Sequence, residues 1–182
     1  MRFRPVPGGI EASPDAVETT VLRGCAQDLL ALLGEEHDPA GDPLEALLGL
    51  PATEASLPED PALARLLPDA YADDDTAASV EFRRYTEGDL RAGKRAHCAT
   101  VLATLPSPGT LHLDSDQAQA WLGFLNDVRL VLGTRLQVTD DEPDDVEADE
   151  PDEADPRTQA LQVYGWLGFL QESLLGCLLP PD

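Results

Sequence analysis

A five-residue phrase that occurs twice is the feature that most constrains how this chain folds. The residues Trp-Leu-Gly-Phe-Leu stand at 121–125 and return 45 positions later at 166–170. Each copy lies in a stretch whose apolar residues recur at helical spacing over a wide arc, which is typical of helices buried on most sides. We therefore expect two core helices that pack as antiparallel neighbours, with the most acidic part of the chain between them.

The glycine at the centre of each copy indicates close packing. Gly123 and Gly168 each cost a helix about 1 kcal/mol relative to alanine, so we expect them where another element approaches closely. The two helices are predicted to cross near these glycines and to bury Trp121 and Trp166.

The net charge argues against broad, nonspecific binding to nucleic acid. The chain of 182 residues has a formal charge of −23, and 11 of its 35 acids fall in residues 140–155, where no basic residue occurs. The 24 acids that remain still outnumber the 12 basic residues. Such a field repels nucleic-acid backbones and favours contact with basic protein surfaces. We expect 140–155 to be an acidic flexible loop within a single domain that covers 1–182.

Short strands are predicted near the N-terminus and in the middle of the chain. Residues 7–9, Pro-Gly-Gly, form a tight-turn sequence between Arg2–Val6 and Ile10–Ala12, which predicts a β-hairpin. The prolines confine its first strand to a sheet edge. Thr110–Asp114 alternates between two faces and is a candidate third strand that would complete a small sheet.

Helical patterns account for most of the remaining chain. Ser13 is the predicted N-cap of a first helix that ends at Gly34, and Thr86 is predicted to cap a separate helix after one that ends near Tyr85. Further helices are expected to begin at Asp42-Pro43, Asp60-Pro61, Asp114 or Ser115, and Asp155-Pro156. The predicted fold class is therefore mainly α, a single-domain helical bundle with a small N-terminal β-hairpin plus one further strand.

Positive charge is concentrated in one place, which we call the basic cluster. It comprises Arg83, Arg84, Arg91, Lys94 and Arg95. The basic cluster is a candidate site for a phosphate, nucleic acid or an acidic partner. The alternative is a solvated helix face on which Arg84 and Arg91 pair with glutamates three or four residues earlier.

Polar residues interrupt the two core helices and form the second candidate site. The set comprises Asn126, Asp127, Arg129 and Arg135 in the first helix, with Gln171 and Glu172 in the second. Because buried charges must be paired, we interpret the set as a buried polar network in which acids and arginines satisfy one another. A ligand pocket built on this network is the alternative.

Cys98 is the candidate redox residue. It follows Lys94, Arg95 and His97, and nearby positive charge lowers the pKa of a thiol. A packed and inert thiol is the alternative. The cysteines and histidines have no metal-binding spacing, and the sequence contains no phosphate loop or nucleophile elbow. We therefore predict a protein that is not an enzyme and that has neither metal nor cofactor.

Hydropathy predicts the compartment. The first ten residues contain no apolar run like that of a signal peptide, and no stretch approaches the roughly 18 apolar residues of a membrane span. We expect a cytoplasmic protein without membrane contact, and a homodimer is compatible with the sequence.

Several longer segments carry a family resemblance. They are Asp60–Tyr71, Glu81–Arg91, Leu125–Leu130 with Gly133–Leu136, and Tyr164–Ser173. In this order they resemble signatures of an actinobacterial family described as AosR-type oxidative-stress regulators, and Arg2–Arg4 resembles the N-terminus of that family.

The resemblance implies a cytoplasmic transcriptional regulator that acts with the transcription machinery, for example through a sigma factor, on sulfur and cysteine metabolism. The residues favour action through a protein partner over direct DNA binding, because the net charge is −23 and no recognition helix is evident. An alternative from another class is a binding module for a small anionic ligand held by Arg83, Arg84, Arg91 or Arg129.

Overall fold

Three strands and five helices make up the part of the chain that the computed structural model describes, which is residues 1–34, 58–68, 76–106, 109–138 and 155–179, with the backbone alone for 76–85. In chain order they are β1 (Arg4–Val6), β2 (Gly9–Ala12), α1 (Ala16–Leu33), α2 (Pro61–Leu66), α3 (Thr76–Thr104), β3 (Leu111–Leu113), α4 (Ser115–Leu136) and α5 (Pro156–Leu178). The predicted fold class, mainly α with a minor β component, is confirmed. The helix predicted at Asp42-Pro43 and nearly all of the acidic loop lie outside the described residues.

The three strands form one antiparallel sheet in the order β1-β2-β3. The turn between β1 and β2 contains Gly8 at a φ of 89°, a conformation that glycine adopts without steric cost. Ile10 pairs with Leu113, and both are buried. The hairpin, the third strand and the edge position of the proline-containing β1 therefore agree with the prediction.

The first helix begins at a different cap from the one predicted. Asp15, and not Ser13, is the N-cap of α1: its carboxylate accepts from the backbone N–H of Glu18 at 2.8 Å, and the Glu18 carboxylate accepts from that of Asp15 at 2.9 Å. This reciprocal capping box satisfies two backbone donors, and the Asp-x-x-Glu spacing outweighs the proline signal at Pro14. The helix ends at Gly34 as predicted.

One long helix stands where two were expected. The α3 helix is continuous from Thr76 to Thr104, so the prediction that Thr86 starts a separate helix is wrong. No glycine or proline occurs between 76 and 85 to end a preceding helix. Without such a terminator, the backbone continues its own hydrogen bonds past Thr86.

The α4 helix lies at the centre of the bundle. It packs against α1, α2, α3 and α5, and it also contacts β2 and β3. Its Trp121 is fully buried, packs edge-on against Phe3 at a centroid distance of 5.8 Å, and donates from Nε1 to the Thr104 hydroxyl at 2.9 Å. Asp114 caps this helix in a second capping box with Gln117, in agreement with the prediction.

The two copies of the repeated phrase have different surroundings. In α4, Trp121, Phe124 and Leu125 are all fully buried. In α5, Trp166 is only partly buried and Phe169 is 46% exposed. Both tryptophans were predicted to be buried, which is confirmed for Trp121 and wrong for Trp166. Trp166 is only partly covered because α5 lies at the edge of the bundle and has its main contact with α4.

The repeated glycines serve separate contacts. A Cβ built at Gly123 would lie 2.6 Å from the imidazole of His97 in α3, whereas one at Gly168 would lie 3.5 Å from the guanidinium of Arg129 in α4. The single crossing point predicted for both glycines is therefore wrong. The contacts that join Gly133 to Tyr164 and Arg129 to Gly168 do show that α4 and α5 are antiparallel neighbours, as expected.

The contact between Gly123 and His97 predicts a position-specific loss of stability. Replacing Gly123 with leucine should overpack the space between α3 and α4 and lower the free energy of unfolding by about 1–3 kcal/mol. Gly165 is the matched control, since it lies within α5 and a Cβ there meets nothing within 4 Å. Gly165→Leu should leave stability unchanged or raise it by up to about 1 kcal/mol. Urea unfolding of both variants measures the difference, and equal effects would contradict this packing.

Candidate functional site

A partly buried ion pair joins the two candidate sites predicted from the sequence. The carboxylate of Asp127 in α4 accepts from the ammonium of Lys94 in α3 at 2.6 Å. Asp127 is 3% exposed and is the one charged or polar residue that is buried in the described part of the chain. Lys94 is the sole lysine of the sequence. A member of the basic cluster is therefore used to neutralise a member of the predicted polar network.

Two further members of the basic cluster bind the C-terminal end of α1. Arg91 donates from Nη1 to the carbonyl oxygen of Leu33 at 2.8 Å, and Arg95 donates from Nη1 to that of Gly34. The last carbonyls of a helix have no partners within it and carry partial negative charge, and α1 has no basic residue of its own in its last turn. The arginines of α3 therefore cap α1 from outside.

Arg91 also forms the local pair expected from its spacing. Its guanidinium lies 2.8 Å from the carboxylate of Glu87, one turn earlier in α3. The structure thus gives internal partners to Arg91, Lys94 and Arg95, while the side chains of Arg83 and Arg84 lie outside its description. The part of the basic cluster that can be seen holds α1, α3 and α4 together.

Arg129 forms a second polar contact, between α4 and α5. Its Nη1 donates to the side-chain oxygen of Gln171 at 2.7 Å, and its Nη2 donates to the hydroxyl of Tyr164 at 3.4 Å. The guanidinium carbon also lies 5.0 Å from the centre of the Tyr164 ring, in cation–π geometry. The Nε of Arg129 is buried and has no acceptor within the described ranges. Arg129 therefore binds neutral groups only in that part of the protein.

The remaining members of the predicted network lie at the surface. Asn126, Arg135 and Glu172 are exposed, and Arg135 makes a long contact of 3.8 Å to Asp60, the N-cap of α2. The predicted single network thus divides into the Lys94–Asp127 pair, the Arg129–Gln171 contact and three exposed residues. The acids and arginines of α4 and α5 lie on different faces of their helices and therefore do not share one site.

Sequence reasoning missed two of these contacts, that of Lys94 with Asp127 and that of Tyr164 with Arg129. Lys94 was assigned to a solvent-facing cluster, and Tyr164 was not singled out. A usable signal existed for the first, because Asp127 lies among the apolar residues Phe124, Leu125 and Val128, and a carboxylate in such an arc requires a cation from another element.

Burial raises the pKa of the Cys98 thiol, which the sequence had been expected to lower. The side chain is fully buried, and desolvation together with the charge of Asp127 raises the pKa of its thiol from 9.0 to about 11, against the smaller lowering effects of Arg95 and Lys94. Burial and Asp28 raise the pKa of Cys25 to about 11 as well. The predicted activation of Cys98 is therefore not supported, since a thiolate is the reactive form.

The described residues contain no group of three or more histidine, cysteine or acidic side chains arranged to hold a metal ion. Within the same ranges, no helix has the length and apolar character needed to cross a membrane.

Removal of one partner of the Lys94–Asp127 pair should destabilise the protein far more than replacement of both partners. Asp127→Ala leaves the Lys94 charge without its partner and should lower the free energy of unfolding by about 3–5 kcal/mol. The double variant Lys94→Met with Asp127→Leu should recover most of that loss. Arg135→Ala, which removes an exposed pair, is the control and should cost at most about 1 kcal/mol. Chemical denaturation measures all three, and a small loss for Asp127→Ala would contradict the pairing.

The raised pKa values predict slow thiol chemistry. At neutral pH, a thiol with a pKa of about 11 has a thiolate fraction about a hundredfold lower than one at 9.0. Cys98 and Cys25 should both react with a thiol reagent far more slowly in the native protein than in the unfolded chain. Mass spectrometry of the labelled peptides measures both rates. Fast native labelling of Cys98 would restore it as a redox candidate.

Comparison with known proteins places this fold in a family. The family model described as "Domain of unknown function (DUF2017)" matches residues 1–178. The putative oxidative stress regulator AosR of Mycobacterium leprae (strain TN) is 35% identical over 176 residues, which cover 89% of this chain and 79% of that protein. The oxidative stress regulator AosR of Mycobacterium tuberculosis (strain ATCC 25618 / H37Rv) is 32% identical over 176 residues, or 89% and 78% of the two chains.

No solved structure matches the chain. The family model nevertheless spans almost the entire sequence, and the relatives align over most of their own length. The resemblance inferred from the segments in α2 to α5 is thus confirmed, and the chain belongs to the DUF2017 family together with the AosR oxidative stress regulators.

Proposed function

We propose that this protein is a cytoplasmic, non-enzymatic regulator of transcription in the oxidative-stress response, and that it acts through a protein partner of the transcription machinery, such as a sigma factor or RNA polymerase. The names of its relatives support the regulatory role. The route through a protein partner is supported by one structural observation, which is the internal use of the basic cluster.

That observation bears directly on DNA binding. A protein that binds duplex DNA needs several lysines and arginines on one face to displace counterions from the phosphates. Here Lys94 is neutralised by Asp127, and Arg91 and Arg95 bind the end of α1. The net charge of −23 opposes approach to DNA and favours a basic protein surface.

Arg129 supports a second candidate, a binding module for a small anion. Its guanidinium has only neutral partners in the described residues, and its Nε lacks an acceptor. An anion could therefore replace the contact with Gln171 or Tyr164. A strong anion site usually requires convergent cations, and Arg91 and Arg95 are committed elsewhere. The regulatory candidate is therefore preferred.

Titration of labelled promoter DNA tests the proposed function. At about 150 mM salt, the protein alone should bind weakly and with no preference between promoter and unrelated duplex. Addition of the protein to RNA polymerase with a sigma factor from the same cells should change promoter occupancy or transcript yield. Tight, sequence-selective binding by the protein alone would contradict the proposal and would point to Arg83 and Arg84.

Inorganic phosphate is the probe for the second candidate. A titration followed by NMR should leave the signals of Arg129 and Tyr164 unchanged if the protein acts through a partner alone. A saturable shift that is absent from Arg129→Gln would favour the anion-binding module instead.

A further inference from the structure

Arg129 is a partly buried cation that has no anionic partner within the described part of the chain. Its hydrogen bonds go to the side-chain oxygen of Gln171 at 2.7 Å and to the hydroxyl of Tyr164 at 3.4 Å, and its Nε is buried without an acceptor. Removing a charge from water is costly unless an opposite charge or a full set of hydrogen bonds replaces the water. The requirement of Arg129 for an acceptor is therefore only partly met.

A shortage of acids does not explain the missing counterion. The chain has 35 acidic residues against 12 basic ones, and Arg91 and Lys94 each pair with a carboxylate. Beside Arg129 the chain instead places the neutral Gln171, whereas the acid at the next position, Glu172, is exposed. Successive helix positions lie about 100° apart, so Glu172 belongs to a different face of α5.

The side chain of Gln171 occupies the place of a carboxylate. Glutamine has the same length as glutamate and the same planar end group, but its oxygen carries only a partial charge. A carboxylate accepts two parallel hydrogen bonds from one guanidinium, and the opposite charges strengthen them. The Tyr164 hydroxyl both accepts and donates, so it is able to donate to the same carboxylate. An external carboxylate would thus satisfy Arg129 better than Gln171 does.

The guanidinium of Arg129 lies along one row of α5 side chains that reaches the surface. The row consists of Tyr164, Gly168, Gln171 and Leu175, which follow one another at helical spacing. A Cβ at Gly168 would lie 3.5 Å from the guanidinium. Leu175, one turn after Gln171, is 43% exposed. The row therefore brings a cation close to an exposed apolar side chain.

This arrangement favours a carboxylate on a protein over a free anion. A strong site for a small anion usually has convergent cations, and Arg129 is the one cation that hydrogen-bonds Tyr164 and Gln171 in the described residues. A carboxylate presented by a protein needs fewer cations, because the contacts around it supply the remaining affinity. Arginine is also enriched among the side chains that contribute most to protein interfaces.

We propose that Arg129 is the contact point for an aspartate or glutamate side chain of a partner protein, whose carboxylate displaces the amide oxygen of Gln171. This inference rests on the proposed function, because it names the residue through which the regulator recognises one acidic side chain of its partner. The remainder of the partner surface is expected to be basic, since the net charge of this chain is −23.

The test uses the whole chain and two synthetic peptides with leucines on both sides of a central residue and lysines at both ends. The central residue is glutamate in one peptide and glutamine in the other. General attraction to a protein of charge −23 favours the glutamine peptide, which has one more positive net charge. We expect the opposite: the glutamate peptide should bind about tenfold more tightly at about 150 mM salt. NMR of ¹⁵N-arginine-labelled protein measures both affinities at the Nε signal of Arg129.

Matched variants show whether Arg129 is responsible. Gln171→Glu supplies a carboxylate to Arg129 from within the chain, so it should raise the melting temperature by a few degrees and remove the preference for the glutamate peptide. Gln162→Glu is the control, because it makes the same change at an exposed position of the same helix, and it should preserve the preference. Arg129→Gln should abolish the preference, and its melting temperature shows whether it is folded.

Several outcomes would overturn the inference. Equal binding of the two peptides, or tighter binding of the glutamine peptide, would mean that Arg129 does not receive a carboxylate. Binding of inorganic phosphate at Arg129 as strong as that of the glutamate peptide would assign the site to a small anion.

The proposed function fails separately from this inference. An effect on transcription that both Arg129→Gln and Gln171→Glu leave intact would overturn the contact point alone. A preference for the glutamate peptide without any effect of the protein on transcription would overturn the regulatory role alone.

Discussion

The partly buried ion pair between Lys94 and Asp127 is the interaction on which the helical bundle depends. Asp127 lies among the buried apolar residues Phe124, Leu125 and Val128 of the central helix, where an unpaired carboxylate would be costly. Its partner is the sole lysine of a strongly acidic chain. From the same stretch of α3, Arg91 and Arg95 reach the last carbonyls of α1. Positive charge that appeared to form a binding face therefore fixes three helices against one another.

The features predicted correctly from the sequence are those determined by neighbouring residues. Gly8 forms the hairpin turn, Asp60 and Asp155 cap helices that open with proline, and Asp114 forms its capping box with Gln117. The errors at Ser13 and Thr86 concern the choice between two local signals. At the first helix, the Asp15–Glu18 spacing was the better signal and was available in the sequence.

The polar contacts could not be predicted in the same way, because they join residues far apart in the chain. Lys94 and Asp127 are separated by 33 positions, and Arg91 and Leu33 by 58. Which residues meet depends on how the helices are arranged around α4, and periodicity does not specify that arrangement. The same limit explains α5: its apolar pattern predicted burial on most sides, yet its main contact is with α4 alone, and Phe169 and Leu175 remain exposed.

Lys94 is an internal structural cation, and because it is the sole lysine of the sequence its ammonium can be observed directly. In protein labelled with ¹⁵N-lysine, NMR should show one ammonium signal at neutral pH whose protons exchange slowly with water, because they are held by Asp127 in a partly buried contact. Asp127→Asn should abolish that protection. An ammonium that exchanges as rapidly as that of free lysine, with no response to Asp127→Asn, would show that Lys94 faces solvent and does not join α3 to α4.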